Sequence, residues 1–101
     1  MAKEKTITLP CSVGDSVWSL LTNGNKRFVT RFIIDDIEYK QRNNGYEICT
    51  FFGTSDGSDG MYHPLYFYWD KYEHDGYDDV LNQNVFLTEE EAIAYKEKLD
   101  A

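Results

Sequence analysis

The side chains of this sequence that could do chemistry are two cysteines, two histidines and many carboxylates. Cys11, Cys49, His63 and His74 are the soft metal ligands, and no two of them are spaced like a zinc-binding pair. A cysteine nucleophile needs a neighbouring base, and both cysteines lie in or beside predicted strands, where a free thiol is usually a small buried hydrophobe. The sequence therefore predicts no catalytic residue, no metal and no cofactor.

Residues 55–60 partly match a calcium-binding loop. An EF-hand loop that began at Asp56 would need an oxygen ligand at its fifth position and glycine at its sixth, but these positions hold Gly60 and Met61. A polar turn is predicted instead. The glycines of this region lead into no predicted helix, so they do not form a phosphate-binding loop.

Acidic residues are concentrated in the second half of the chain. The 101 residues include 18 acidic and 10 basic side chains, which gives a net charge of −8. Residues 53–80 alone hold seven acids, one lysine and seven aromatic residues. This balance argues against direct nucleic-acid binding, which needs cations to meet the phosphates. It favours a surface that selects a basic protein partner, or else an acidic surface that only maintains solubility.

The acidic, tyrosine-rich segment supplies the candidate partner-binding residues. Tyrosine gives large contact area at low entropic cost, and neighbouring carboxylates speed association with a basic surface. Glu90 and Glu97 on a predicted helix would extend this surface. The candidates are the acids of the segment and the tyrosines expected to be exposed: Asp56, Asp59, Tyr62, Asp70, Tyr72, Glu73, Asp75, Tyr77, Asp78 and Asp79.

The sequence predicts an intracellular protein of one domain, residues 1–101. No apolar run approaches the roughly 20 residues of a membrane span. The N-terminal MAKEKTITLP carries charge without an apolar core, so it does not match a secretory signal. Two cysteines do not make a disulfide scaffold.

Hydrophobic alternation predicts short strands at residues 6–9, 16–21 and 28–34. After residue 34 the apolar positions become Ile37 and Tyr39, a slip of one that requires a bulge at Asp35 and Asp36. Residues 65–69 are apolar throughout, which predicts a strand buried on both faces. Leu65, Phe67 and Trp69 are the preferred inward set, and Tyr66 and Tyr68 are the alternative if the strand has the opposite phase. Residues 85–87 form a last predicted strand.

Asn44 and Gly45 form the strongest hairpin signal, since a type I′ turn needs positive φ at both central residues. With these two residues as the loop, facing residues have numbers that sum to 89. This register places Ile37 opposite Phe52 and Tyr39 opposite Thr50.

A C-terminal helix is predicted from its cap. Thr88 and Glu91 match a capping box, with glutamates in the first turn and lysines in the last. Ala92, Tyr95 and Leu99 form the apolar stripe that would dock on the sheet.

Two motifs resemble those of small proteins encoded by phages and mobile elements of Gram-positive bacteria. PCSVGDSVW at residues 10–18 resembles their P-C-x-x-G-D-x-V-[WY] opening, and NVFLTEEEA at residues 84–92 resembles their V-F-L-T-x-E-E-A ending. The resemblance implies a small, strongly bent SH3-like barrel with a C-terminal helix. It covers residues 7–52 and 83–99, and the acidic segment 53–82 is an insertion relative to it.

The expected fold class is α+β, mostly β: a small, strongly bent antiparallel sheet or SH3-like barrel with one C-terminal α-helix. Two functions follow from the sequence. The first is a non-enzymatic acidic protein of a phage or mobile element that mimics nucleic acid and inhibits a host nuclease effector, as an anti-CRISPR protein does. The second is an adaptor module that binds a protein or peptide partner by strand addition and aromatic contacts. The oligomeric state stays open.

Overall fold

The computed structural model describes residues 8–74 and 79–101. These residues form an antiparallel sheet with the strand order β4-β3-β2-β1-β5 and a C-terminal helix. This architecture confirms the predicted α+β, mostly β class. The elements are β1 (Ser16–Asn23), β2 (Lys26–Gln41), β3 (Glu47–Ser55), β4 (Pro64–Tyr68), β5 (Val85–Phe86) and α1 (Glu89–Asp100).

The first predicted strand differs from the structure. Residues 6 and 7 lie outside the described residues, and Thr8 and Leu9 belong to no strand. Among the described residues, no helix is long and apolar enough to cross a membrane.

The predicted bulge in β2 is confirmed. The β2–β3 register shifts between Ile34 and Asp36, so Asp35 is the extra residue. Thr54 donates a hydrogen bond from its hydroxyl to the Asp35 carboxylate at 2.5 Å. Gly53 faces Ile34 at this point, and a Cβ there would lie 2.9 Å from the Ile33 carbonyl oxygen. The close approach of the two backbones therefore requires glycine.

The hairpin is present, but its predicted register was wrong by one residue. Ile37 faces Phe51 and Tyr39 faces Cys49, so paired numbers sum to 88. The Gly45 N–H donates to the Arg42 carbonyl at 3.0 Å, and Gly45 has a φ of 88°. The loop therefore has three residues and ends on a left-handed glycine, the second common hairpin geometry, rather than the two-residue type I′ turn.

The core lies on one face of the sheet. β4 alternates, with Leu65 and Phe67 buried and Tyr66 61% exposed, so the prediction of burial on both faces was wrong. Leu65 and Phe67 of the preferred inward set are buried, and Trp69, which follows the strand, is half-buried against the core. The Phe51 and Phe67 rings stack with centroids 5.0 Å apart. The buried apolar cluster comprises Cys11, Val17, Phe32, Ile34, Cys49, Phe51, Leu65, Phe67, Leu81 and Val85. Three of these residues, Leu65, Phe67 and Leu81, belong to the segment 53–82 that was predicted to be an insertion, so this segment contributes to the same core.

Helix α1 begins at the predicted cap. The Thr88 hydroxyl accepts from the Glu91 N–H at 3.3 Å and donates to the Glu91 carboxylate at 2.8 Å. Ala92 is fully buried and Tyr95 contacts the Phe86 ring, whereas Leu99, the third residue of the predicted stripe, is 42% exposed. The C-terminal end is tied to the sheet by an ion pair of 2.8 Å between Arg27 and Asp100.

Candidate protein-binding surfaces

The loop between β3 and β4 is held in shape by its own polar side chains. Asp56 accepts from the Ser58 N–H and Asp59 from the Met61 N–H, each at 3.0 Å. The Ser55 hydroxyl accepts from the His63 N–H at 2.8 Å. These bonds fix the two carboxylates before any partner arrives.

Both loop carboxylates have a lowered pKa. For Asp59 the main cause is the hydrogen bond with His63, whose Nε2 lies 2.8 Å from Oδ2, and the second is the Met61 N–H. For Asp56 the main cause is hydrogen bonding to Ser58, with a smaller effect of Arg31, 3.5 Å away. Both groups are therefore anionic at neutral pH.

A groove of about 580 Å³ separates this loop from the β1–β2 hairpin. Its walls include exposed apolar side chains, since Met61 is 62% exposed and Phe28 48%. We call this feature the loop groove. It is lined by Leu21, Thr22, Asn23, Phe28, Val29, Thr30, Ser55, Asp56, Ser58, Asp59, Met61 and His63.

Tyr62 lies between Met61 and His63 in the same loop and is 75% exposed, as predicted. Its ring rests against Gly57, where a Cβ would lie 2.8 Å from Cε1 of the ring. The φ of Gly57 is 75°, so this position combines a left-handed backbone with a close ring contact. The tyrosine is thereby presented in a defined position.

Asp70, Tyr72 and Glu73 lie at the opposite end of β3. At the first residue of β3, the Glu73 N–H donates to the Glu47 carbonyl at 3.0 Å. At the last residue of β3, the Ser55 N–H donates to the carbonyl of His63, in the loop, at 2.8 Å. Eight residue steps of a strand separate Glu47 from Ser55, about 27 Å. Asp70 and Glu73 are exposed at this far end.

Tyr72 differs from its predicted exposure because it packs against the core. Its ring lies between Tyr39, at 5.7 Å, and Trp69, at 5.3 Å and edge-on. Lys71 places its Nζ 5.2 Å from the Trp69 ring centroid. Tyr72 therefore stabilises the fold at this end of the sheet.

Asp79 is exposed and accepts from the Asn84 side chain at 2.9 Å. Asp75, Tyr77 and Asp78 lie outside the described residues. The structure thus brings together Asp56, Asp59 and Tyr62, and it places Asp70 and Glu73 elsewhere.

A second surface was not anticipated from the sequence. The β2, β3 and β4 side chains that point away from the core form a shallow groove of about 320 Å³. Phe52 and Tyr66 contact each other here with ring centroids 6.4 Å apart. The alternation of Tyr66 and Tyr68 with buried Leu65 and Phe67 was the available signal. This outer sheet face comprises Glu38, Lys40, Arg42, Ile48, Thr50, Phe52, Tyr66 and Tyr68.

The two thiols are free and buried. Burial is the main cause that raises the pKa of Cys11 to about 11, and Asp15 and Cys49 raise it further. Burial also raises the pKa of Cys49. A neutral thiol is a poor nucleophile and a poor metal ligand. In the described part of the chain, no group of three or more His, Cys, Asp or Glu side chains is arranged to hold a metal ion.

Comparison of the chain with protein families, curated proteins and solved structures finds no match.

Proposed function

We propose that this chain is a non-enzymatic binding protein that inhibits a nucleic-acid-handling protein by occupying its basic surface. The observation that carries the proposal is the loop groove, in which two pre-positioned anionic carboxylates lie beside exposed apolar side chains. An exposed apolar patch rimmed by polar residues is typical of a protein interface.

The chemistry of the groove suits a basic partner. Asp56 and Asp59 can neutralise lysine or arginine side chains that otherwise contact phosphates, so the protein would compete with nucleic acid. Because their loop is already ordered by internal hydrogen bonds, little conformational entropy is lost on binding. Met61 and Tyr62 would supply the apolar contact area that charges alone do not give.

The resemblance of the two terminal motifs to phage and mobile-element proteins supports a host nuclease effector as the partner. In this proposal the protein acts in the bacterial cytoplasm as a nucleic-acid mimic of the anti-CRISPR kind. The net charge of −8 agrees with a protein that does not bind nucleic acid itself.

An adaptor module is the second candidate, and the outer sheet face is the observation that favours it. Its exposed Tyr66 and neighbouring Phe52 could hold a peptide by aromatic contacts. Strand addition to β4 is less favoured, because Pro64 has no N–H and the Tyr68 backbone already bonds to Asp79 and Leu81.

A pull-down from a Gram-positive bacterial lysate tests the proposal. The variant Asp56→Asn/Asp59→Asn removes two charges and keeps the oxygens that accept from the loop amides. Asp70→Asn/Glu73→Gln is the matched control, since it removes two charges at the far end of β3. We expect the groove variant to lose the partner and the control to keep it.

The captured protein must also be a nucleic-acid-handling protein that releases its nucleic acid when the wild-type chain is added. Retention of the partner by the groove variant would contradict the proposal, and so would simultaneous binding of nucleic acid and this protein. Loss of binding on Tyr66→Ala alone would favour the adaptor.

A further inference from the structure

Charges along the exposed side of β2 are arranged in two blocks. Asp36, Glu38 and Lys40 of β2 are exposed alternate residues, and alternate residues of a strand share one face. Arg42, the residue after the strand, continues the row because its N–H still bonds to the Tyr46 carbonyl across the hairpin. The first two are acidic and the last two are basic. Glu38, Lys40 and Arg42 belong to the outer sheet face, and Asp36 extends the row because it pairs with Phe52 of that face. None of these four residues lines the loop groove.

This order is self-complementary under a two-fold axis. Suppose that two copies stack these faces against each other, with a two-fold axis that lies in the plane of the interface and runs perpendicular to the strands. β2 of one copy then lies over β2 of the other copy and runs in the opposite direction. An axis at the level of the Tyr39–Cys49 pair then places Glu38 opposite Lys40 and Asp36 opposite Arg42 of the second copy. Every charge in the row meets its opposite.

The apolar residues follow the same symmetry. On β3, the axis at Cys49 brings Phe52 opposite Tyr46 and Ile48 opposite Thr50 of the second copy. Tyr46 pairs with Arg42 in the hairpin and is exposed. Phe52 and Ile48 are only half-buried in one chain, so stacking would remove further apolar surface from water.

We propose that the outer sheet face binds a second copy of this chain. Within one chain, Glu38 and Lys40 form an ion pair of 2.9 Å. Because this pair is exposed, it contributes little to stability, and replacing it by pairs between the two copies costs little free energy. Single-stranded nucleic acid, the other ligand that exposed aromatics and cations could take, is disfavoured by the two acids in the same row. This inference does not rest on the proposed function.

The dimer is weak. Three strands about 4.8 Å apart and about seven residues long present roughly 300 Å² of face, below the roughly 800 Å² per partner of stable complexes. Monomer and dimer therefore exchange, and the dimer fraction rises with protein concentration.

Sedimentation velocity over a concentration series tests the proposal with two charge reversals. Lys40→Glu makes the row acidic and Glu38→Lys makes it basic, and both sites are exposed, so folding is retained and is checked by circular dichroism. Each variant alone should dimerise at least about tenfold more weakly than wild type, and an equimolar mixture of the two should recover association.

Tyr46→Thr should weaken dimerisation, whereas Tyr62→Thr, at an exposed tyrosine outside this face, should not. The proposal is overturned if the wild type stays monomeric at every concentration, or if association is indifferent to both charge reversals. The proposal would also be overturned if the wild-type protein bound a fluorescent single-stranded oligonucleotide and the Lys40→Glu variant did not.

Discussion

Oδ2 of Asp59 lies 2.8 Å from Nε2 of His63, which ties the middle of the β3–β4 loop to the residue before β4. Together with the Met61 N–H, this contact keeps the carboxylate in place and holds its pKa below the ordinary value of 3.8. The same contact that orders the loop therefore preserves the negative charge that the proposed interface needs.

The lowered pKa of Asp59 predicts acid sensitivity. A carboxylate whose pKa is lower in the folded state stabilises the fold above its unfolded pKa, and this stabilisation is lost as the pH falls through the folded value. We expect Asp59→Asn to lower the urea midpoint at neutral pH and to match wild type well below pH 3.8. A difference in midpoint that stays the same at acid pH would contradict the assignment.

The left-handed backbone at Gly45 predicts a conformational cost for larger residues. No atom lies within 4 Å of a Cβ built there, so the cost arises from its φ of 88° rather than from a clash. We expect Gly45→Val to reduce the free energy of unfolding by roughly 1–3 kcal/mol. Gly45→Asn, which tolerates this region, is the control and should cost less; an equal cost for both would refute the turn geometry.

The helix cap predicts a purely structural effect. Thr88→Ala removes the oxygen that accepts the Glu91 N–H and should cost about 1 kcal/mol in chemical denaturation. Thr88→Ser keeps that oxygen and should stay close to wild type. Loss of partner binding by a folded Thr88→Ala variant would show that this motif takes part in binding.

The buried thiols predict slow chemical modification. Because the pKa of Cys11 is raised to about 11, its reactive thiolate is scarce in the folded state at neutral pH. Both cysteines should react with iodoacetamide far more slowly in the native protein than in urea.

The raised pKa of Cys11 also predicts that the free energy of unfolding falls as the pH rises from the unfolded value of 9.0 towards 11. Rapid native labelling of Cys11 would contradict this account.

The slip in hydrophobic phase predicted the β2 bulge correctly, because a strand cannot change its buried face without one. The hairpin register could not be fixed in the same way. Phe51 and Cys49 on one face, and Phe52 and Ile48 on the other, are both apolar sets, so the pattern does not identify the inward one. Turn length decided the register, and Asn44–Gly45 fits both a two-residue and a three-residue loop.

The candidate site was predictable in part. Acids and glycines placed Asp56, Asp59 and Tyr62 in one loop; in the structure Asp59 and Tyr62 are exposed, whereas Asp56 is half-buried beside Arg31. Asp70 and Glu73 lie at the other end of β3 from this loop. That separation depends on how β3 runs through the fold, and the amino-acid composition carries no information about it. Tyr72 packs on Tyr39, far away in sequence, and no local pattern reports such a contact.

The central claim, that the loop groove binds a basic surface through its carboxylates, is tested most directly by the salt dependence of affinity. Titration calorimetry of the captured partner would compare wild type with Asp56→Asn/Asp59→Asn over a series of salt concentrations. We predict binding at least about tenfold weaker for the variant and a flatter dependence on salt, because desolvated charge pairs are lost. Equal affinity and an equal salt slope for the two proteins would contradict the claim.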